Sequence, residues 1–286
     1  MTGLRVVLAA DEAAGRRTLT LLERSPHQVV AVAAKPDGEL TRQAEEAGIP
    51  AVDSKQLARR SCASTLAAFS PDVLLNIHSL TKVCGDVLQT FEVGAWNLHP
   101  GALPEAAGIN VPSWSIALGW EEHGVSLHWM TPEYDAGDLA YEDRFAIDPA
   151  ATGLTLSAAC ASRGLRLVAA LLQQLADDPG AVPRHPQDLA RRQYYGRGQP
   201  NDGVVEWNDP AAVIAAHVRA ADFRPFPSPW NAPQAKIDGD LYELVEVAVG
   251  DPATVPAGTV QSSPSGWDVA CGDRWLHVVN ARKVNA

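Results

Sequence analysis

The chain has little of several things, and each shortage removes a class of function. Charged residues are only 20% of its 286 residues, and 23 Lys plus Arg face 34 Asp plus Glu, a formal net charge of −11. An acidic chain gains no general attraction to phosphate backbones, so nucleic acid is a disfavoured partner. No run approaches the roughly 18 consecutive apolar residues that cross a bilayer. Asp11, Glu12, Arg16 and Arg17 stand where a signal peptide would need its apolar core. The expectation is a cytoplasmic protein with no membrane partner. Only four cysteines occur, Cys62, Cys84, Cys160 and Cys271, far apart and without a CxxC pair. That spacing argues against a zinc clamp and for reduced, mostly buried thiols; no metal is expected. The turn after the first apolar run, Asp11-Glu12-Ala13-Ala14-Gly15, lacks the GxGxxG glycines that let backbone approach a pyrophosphate. Asp11 reads as a helix N-cap, and a dinucleotide is not expected.

What is present is an alternation. Leu4 to Ala10, Val29 to Ala34, Ile49 to Val52 and Val73 to Ile77 are short apolar, β-branched runs. Amphipathic stretches separate them, Ala13 to Arg24, Leu40 to Ala47 and a helix through Phe69. This rhythm predicts an α/β fold with a doubly wound, mostly parallel sheet, whose ligands bind beyond the carboxyl ends of the strands. Residues 191–203 are rich in Gly, Arg and Pro and read as a linker after a domain spanning 1–190. Beyond it, a helix over Pro210 to Ala221 precedes short β-like runs at Tyr242–Val249, Gly258–Gln261, Trp267–Cys271 and Trp275–Val279. Residues 204–286 are therefore expected to form a smaller β-rich, OB-like domain with tryptophans in its core and edges.

Two segments carry chemistry. In Asn97-Leu98-His99-Pro100, the Asn and His are two apart and share one face of a strand end, and Pro100 and Pro104 stiffen the loop beyond it. After a strand over Gly124 to Met130 comes the acidic turn Thr131 to Asp138. An Asn amide can donate to a developing oxyanion, an imidazole can move a proton near neutral pH, and an Asp can orient or charge the imidazole. His123 and His128 bracket the strand, and nothing in the sequence ties them to that chemistry.

These residues resemble the formyltransferase family that uses 10-formyltetrahydrofolate. The resemblance rests on Asn97-Leu98-His99-Pro100, Leu103-Pro104, Gly108 and the Asp135-Ala136-Gly137-Asp138 turn. It runs from the first strand to about Leu175, and more loosely through Val205-Glu206-Trp207 into a tail similar to the C-terminal domain of methionyl-tRNA formyltransferases. It implies a Rossmann-like catalytic domain and an N-formyltransferase with Asn97, His99 and Asp135 as catalytic residues. The formyl group of 10-formyltetrahydrofolate would pass to an amine by direct attack through a tetrahedral intermediate. Asn97 and a protonated His99 would hold the oxyanion, with Asp135 raising the His99 pKa. The same resemblance puts the folate beside Leu80, Lys82, Val83, Glu133, Tyr134 and Asp138. A second Asn-x-His, Asn76-Ile77-His78, lacks the prolines found after His99, and His78 reads as a pocket-lining, substrate-side residue.

The acceptor is read from the segment just after the catalytic loop. Asn110, Ser113 and Trp114, in Asn110-Val111-Pro112-Ser113-Trp114, resemble the substrate cleft of formyltransferases of nonribosomal peptide and other natural-product pathways. That resemblance implies a small amine or amino acid, possibly carrier-bound, held by Asn110 and Ser113 and walled by Trp114. Sugar-nucleotide N-formylation is the alternative. Methionyl-tRNA is disfavoured, because residues 204–286 hold 6 basic and 10 acidic residues and Lys35-Pro36-Asp37-Gly38 leaves no basic insertion. The non-catalytic alternative is a folate-binding homologue without turnover.

Overall fold

The computed structural model describes residues 3–263 and 266–284. Its first sheet contains β1 (Arg5–Ala10), β2 (Gln28–Ala34), β3 (Ala51–Asp53), β4 (Val73–Ile77) and β5 (Gly94–His99). These five run parallel in the order β3-β2-β1-β4-β5. Val6 to Ala10 of β1 are inaccessible to solvent, and all of β4 is buried. Both faces of these strands are covered, which is why they read as nearly continuous apolar runs, interrupted in β4 by Asn76. Helices α1 (Glu12–Glu23), α2 (Glu39–Glu46), α3 (Cys62–Ala67) and α4 (Gly85–Leu88) make the crossovers. The helix expected through Phe69 is a 3₁₀ turn over Ser54–Ala58 followed by the short α3. Asp11 occupies the N-cap position of α1 but does not cap with its side chain; instead its Oδ1 accepts from the Lys35 N–H at 3.2 Å, tying the ends of β1 and β2 together.

The strand order reverses between β1 and β4, so the crevice of this sheet lies at the carboxyl ends of β4 and its neighbours. Beyond β5 come a two-residue strand, β6 (Ala107–Gly108), the helix α5 (Val111–Ala117), and then β7 (Glu122–Trp129) and β8 (Leu139–Ala146). β7 is antiparallel to β5, and β8 lies outside it. Registers place Asn76 opposite Asn97 and Asn97 opposite His128, a polar row across three adjacent strands.

The long helix α6 (Gly153–Asp177) comes next. It matches a membrane crossing in length and apolarity, with a mean hydropathy of 1.3 over its most apolar 18 residues. Its apolar run is interrupted by Arg163 and Arg166, both paired with Asp143 of β8 at 3.0 and 3.2 Å, while Val168, Leu171 and Leu175 are buried.

The chain packs as two compact units that interleave in sequence. The first holds the chain up to Gly108 with Gly124–Arg144 and Ala159–Tyr194; the second holds Ile109–His123, Phe145–Ala158 and the chain from Tyr195 on. This division differs from the consecutive one at 190 and 204, and the expected linker contains the short strand β9 (Tyr194–Tyr195) and a 3₁₀ turn at Pro200–Gly203. In the second unit, α7 (Ala211–Ala220) packs against an antiparallel sheet of β10 (Gln234–Ile237), β11 (Asp240–Pro252), β12 (Val260–Ser263), β13 (Gly266–Ala270) and β14 (Arg274–Lys283), in the order β10-β11-β14-β13-β12. Ile214, Val218, Leu244, Val269, Leu276 and Val278 form its core. Trp230 is buried, whereas Trp275 is half-exposed because the neighbouring Leu276 takes the inward face.

Candidate active site

The site begins with the polar row. Asn76 Nδ2 donates to Asn97 Oδ1 at 2.8 Å. An amide nitrogen only donates, so the Asn97 oxygen is fixed toward β4 and its Nδ2 toward β7. There Nδ2 lies 3.0 Å from His128 Nε2, while His128 Nδ1 lies 2.8 Å from the Trp129 carbonyl oxygen. A carbonyl only accepts, so His128 carries its proton on Nδ1 and accepts from Asn97 on Nε2. One Nδ2 hydrogen of Asn97 is left over, and Asn97, unlike Asn76, His99 and His128, is partly exposed.

His99 sits two residues on, only 3% exposed. Its Nε2 donates to the Ala106 carbonyl at 2.6 Å, and its Nδ1 faces Asp135 Oδ1 at 3.5 Å. The loop between Pro100 and Ala106 has to fold back closely for this. Gly101 permits it, since a Cβ there would lie 2.5 Å from the Ala106 oxygen and 2.7 Å from His99 Nε2. Ser126, opposite His99 on β7, staples the loop by accepting from Leu103 N and donating to the Gly101 carbonyl, at 3.1 and 2.8 Å.

Asp135 reaches the cluster from a tight turn. Its backbone is left-handed, with φ of 51°, and a Cβ at Gly137 would collide with the Trp129 carbonyl. Gln187 holds the turn by donating to the Asp135 and Gly137 carbonyls at 3.1 and 2.6 Å. The Asp135 carboxylate then accepts from Gly108 N at 2.9 Å and lies 3.6 Å from His128 Nε2.

Burial and charge act in opposition here. Burial pushes His99 below the ordinary imidazole value, outweighing the pull of Asp135 in the other direction. Burial also works against an ionised Asp135, but His99, His128 and the Gly108 N–H hold its carboxyl well below the usual range. At rest the Asp135 carboxylate faces a His99 ring that burial holds below its ordinary imidazole value, which runs against the expectation of a protonated His99. A proton gained at His99 Nδ1 would face Asp135 directly.

The other expected residues divide. Lys82 Nζ lies 5.1 Å from the centre of the Tyr134 ring, and Leu80, Lys82, Glu133 and Tyr134 are all exposed. Val83 is 4% exposed and packs in the core with Leu57, Leu74 and Val87, so its backbone rather than its side chain is what it can offer a ligand. Asp138 turns toward Arg184, 4.0 Å away, on the lining of a cavity of about 330 Å³ that also includes Leu88, Ala95 and Met130. Arg184 lies over the Trp129 ring at 3.5 Å. His78 stands at the end of β4 with φ of 55°, and its Nε2 is buried without a partner among the described residues.

Asn110, Ser113 and Trp114 belong to the second unit. Asn110 is left-handed at the start of α5, and its side chain makes no cap bond; the Ser113 hydroxyl is buried without a partner among the described residues. Trp114 packs on Trp230 and Tyr195, with ring centroids 5.2 and 5.5 Å away, and donates from Nε1 to the Gly196 carbonyl. Its ring is partly exposed, so packing on these neighbours fixes its position without covering it. His128 is the residue sequence reasoning missed. The signal that finds it is the antiparallel pairing of β7 on β5, which aligns it with Asn97.

A family model described as formyl transferase matches residues 4–171, and one described as formyl transferase, C-terminal domain, matches residues 198–285. The chain belongs to the formyl transferase family. Among solved structures it is similar to HypX from Aquifex aeolicus in complex with tetrahydrofolic acid, at 18% identity and a TM-score of 0.63 over 100% of this chain. It spans only 45% of that chain. It is also similar to WlaRD, a sugar 3N-formyl transferase with dTDP and 5-N-formyl-THF, at 13% identity and TM-score 0.69, covering 99% of this chain and 98% of the other. An N-formyltransferase from Helicobacter canadensis in complex with folinic acid and dTDP-3-aminofucose matches at 13% identity and TM-score 0.68, over 99% and 100%.

Proposed function

We propose that this formyl transferase moves the formyl group of 10-formyltetrahydrofolate onto the amine of a small molecule, with Asn97, His99 and Asp135 as its catalytic residues. The observation that carries the reading is the convergence of Asn97, His99 and Asp135 from two separate segments in a formyl transferase chain, His99 and Asp135 lying 3.5 Å apart. The folate supplies the formyl carbon. The free Nδ2 hydrogen of Asn97 is aimed at the oxygen on which negative charge gathers as the amine attacks; such a donor contributes roughly 2.7–4 kcal/mol. His99 takes up a proton on Nδ1 as that charge develops, and Asp135 stabilises the imidazolium. His128 and Asn76 hold the Asn97 amide in one orientation throughout.

The folate fits residues of the first unit. The cavity beside Leu88, Ala95 and Met130 offers apolar walls with Asp138 and Arg184 as polar edges, suited to a flat heteroaromatic ring, and its volume of about 330 Å³ is at the small end of ligand pockets. Lys82 and Tyr134, with Leu80 and Glu133 nearby in the same two segments, would meet the part of the folate that leaves it. For the acceptor we favour an amino acid or natural-product precursor, engaged by Asn110, whose side chain makes no cap bond, and by the Ser113 hydroxyl, which has no partner among the described residues. A cytoplasmic location accords with four free cysteines. The sugar-nucleotide reading draws on the solved neighbours that carry dTDP or a dTDP-sugar over nearly the full length of both chains.

One experiment separates these readings. The protein is incubated with 10-formyltetrahydrofolate and, separately, amino acids, aminated sugar nucleotides and methionyl-tRNA, and products are weighed for one formyl in place of one hydrogen. Formylated amino acid is the expected result. Transfer only to a sugar nucleotide replaces the acceptor, and folate binding without any transfer overturns the enzyme.

A further inference from the structure

The buried cluster has no outlet of its own for a proton. His99 spends Nε2 on the Ala106 carbonyl and turns Nδ1 to Asp135, and His128 spends Nδ1 on the Trp129 carbonyl and Nε2 on Asn97. Both rings are sealed from solvent, at 3% and 2% exposure.

The end of β4 has the opposite character. His78 holds a left-handed φ of 55°, a conformation that strains a non-glycine residue by about 1–3 kcal/mol. Among the described residues its Nε2 is buried without a hydrogen-bond partner, and so is Asn76 Oδ1 two residues earlier. The residue as a whole is nevertheless partly exposed. A strained backbone and an orphaned ring nitrogen thus coincide at one residue. His78 directly follows Ile77, which pairs with Leu98 beside His99 across β4 and β5, and burial pushes the His78 ring down to about 4, so it is unloaded at rest.

We propose that His78 is the proton outlet of the site, passing to solvent the proton that an ammonium acceptor must shed before it can attack. The inference rests on the formyl-transfer reading above. In the transfer itself the amine nitrogen forms a bond to the formyl carbon, the bond from that carbon to folate nitrogen breaks, and the amine proton ends on the folate nitrogen. An acceptor that arrives as an ammonium ion carries one proton more, and that proton leaves through the His78 ring, entering on one nitrogen and departing from the other. His78 is returned neutral.

His78→Gly tests this with the left-handed backbone preserved, because glycine adopts it freely. With the acceptor that the wild type formylates, kcat should fall about 10- to 100-fold, a relay's share of general acid–base catalysis, while the KM for 10-formyltetrahydrofolate stays unchanged. Added imidazole should restore a large part of the rate in His78→Gly and none in Asn97→Ala. A His78→Gly enzyme as fast as wild type, or a slow one that ignores imidazole, overturns the outlet while leaving formyl transfer standing. A wild type that formylates nothing removes both.

Discussion

The molecule contains two Asn-x-His segments in register on adjacent parallel strands, Asn76-Ile77-His78 on β4 and Asn97-Leu98-His99 on β5. The paired asparagines bond to each other, but the histidines differ completely. His99 ends a regular strand, is sealed, and has both ring nitrogens directed at protein groups; His78 turns left-handed and keeps a buried nitrogen unmatched. The chain beyond each histidine separates them. Pro100, Gly101 and the Ser126 staple fold the loop after β5 back over His99, and the chain after His78 runs into the exposed Leu80 and Lys82. An identical pair of side chains becomes a closed centre in one place and an open edge in the other, because loop backbone supplies the partners.

The comparison breaks most visibly on the asparagines. Asn97→Ala removes the one amide aimed at the reacting oxygen and should lower kcat by about 10²–10³, with folate binding largely retained in a fluorescence titration. Asn76→Ala should act only by loosening that amide, so a fall of about 10-fold in kcat with an unchanged KM is expected. Equal losses in the two variants would mean that Asn76 itself meets the substrate. The smallest effect concerns pH. His78 in the folded protein protonates only near 4, whereas unfolded chain takes up that proton near 6.5, so stability is fully present above 6.5 and is lost progressively as pH falls toward 4. His217, also pushed by burial to about 4, adds a loss over the same window. Thermal melts from pH 7 to 5 should therefore fall less steeply for His78→Gln than for wild type, without becoming flat. Parallel curves would show that His78 is not held neutral by the fold.

Much of this architecture is legible from residues alone. The apolar runs Val6–Ala10 and Val73–Ile77 coincide with buried parallel strands, since a strand covered on both faces is apolar at nearly every position, Asn76 excepted. β8 is hard to read because its burial alternates and its outer positions carry Glu142 and Arg144; β10, only four residues long, is too short to stand out. In the site, the spacing of Asn97 and His99 announces a shared face, and Asp135-x-Gly137 announces a tight turn. His128 is invisible in sequence because its role depends on which strand lies beside β7. Val83 suits a ligand by residue type, but core packing uses its side chain first.

The sequence determined which strands are central, where their polar ends fall, and which residue types stand there, because burial periodicity and turn stereochemistry are local properties of the chain. Only the tertiary structure decided that His99 is neutral, that the Asn97 amide is locked between Asn76 and His128, and that His78 is left unmatched. Those outcomes depend on desolvation and on hydrogen-bond partners drawn from strands and loops distant in sequence, and no local pattern encodes either.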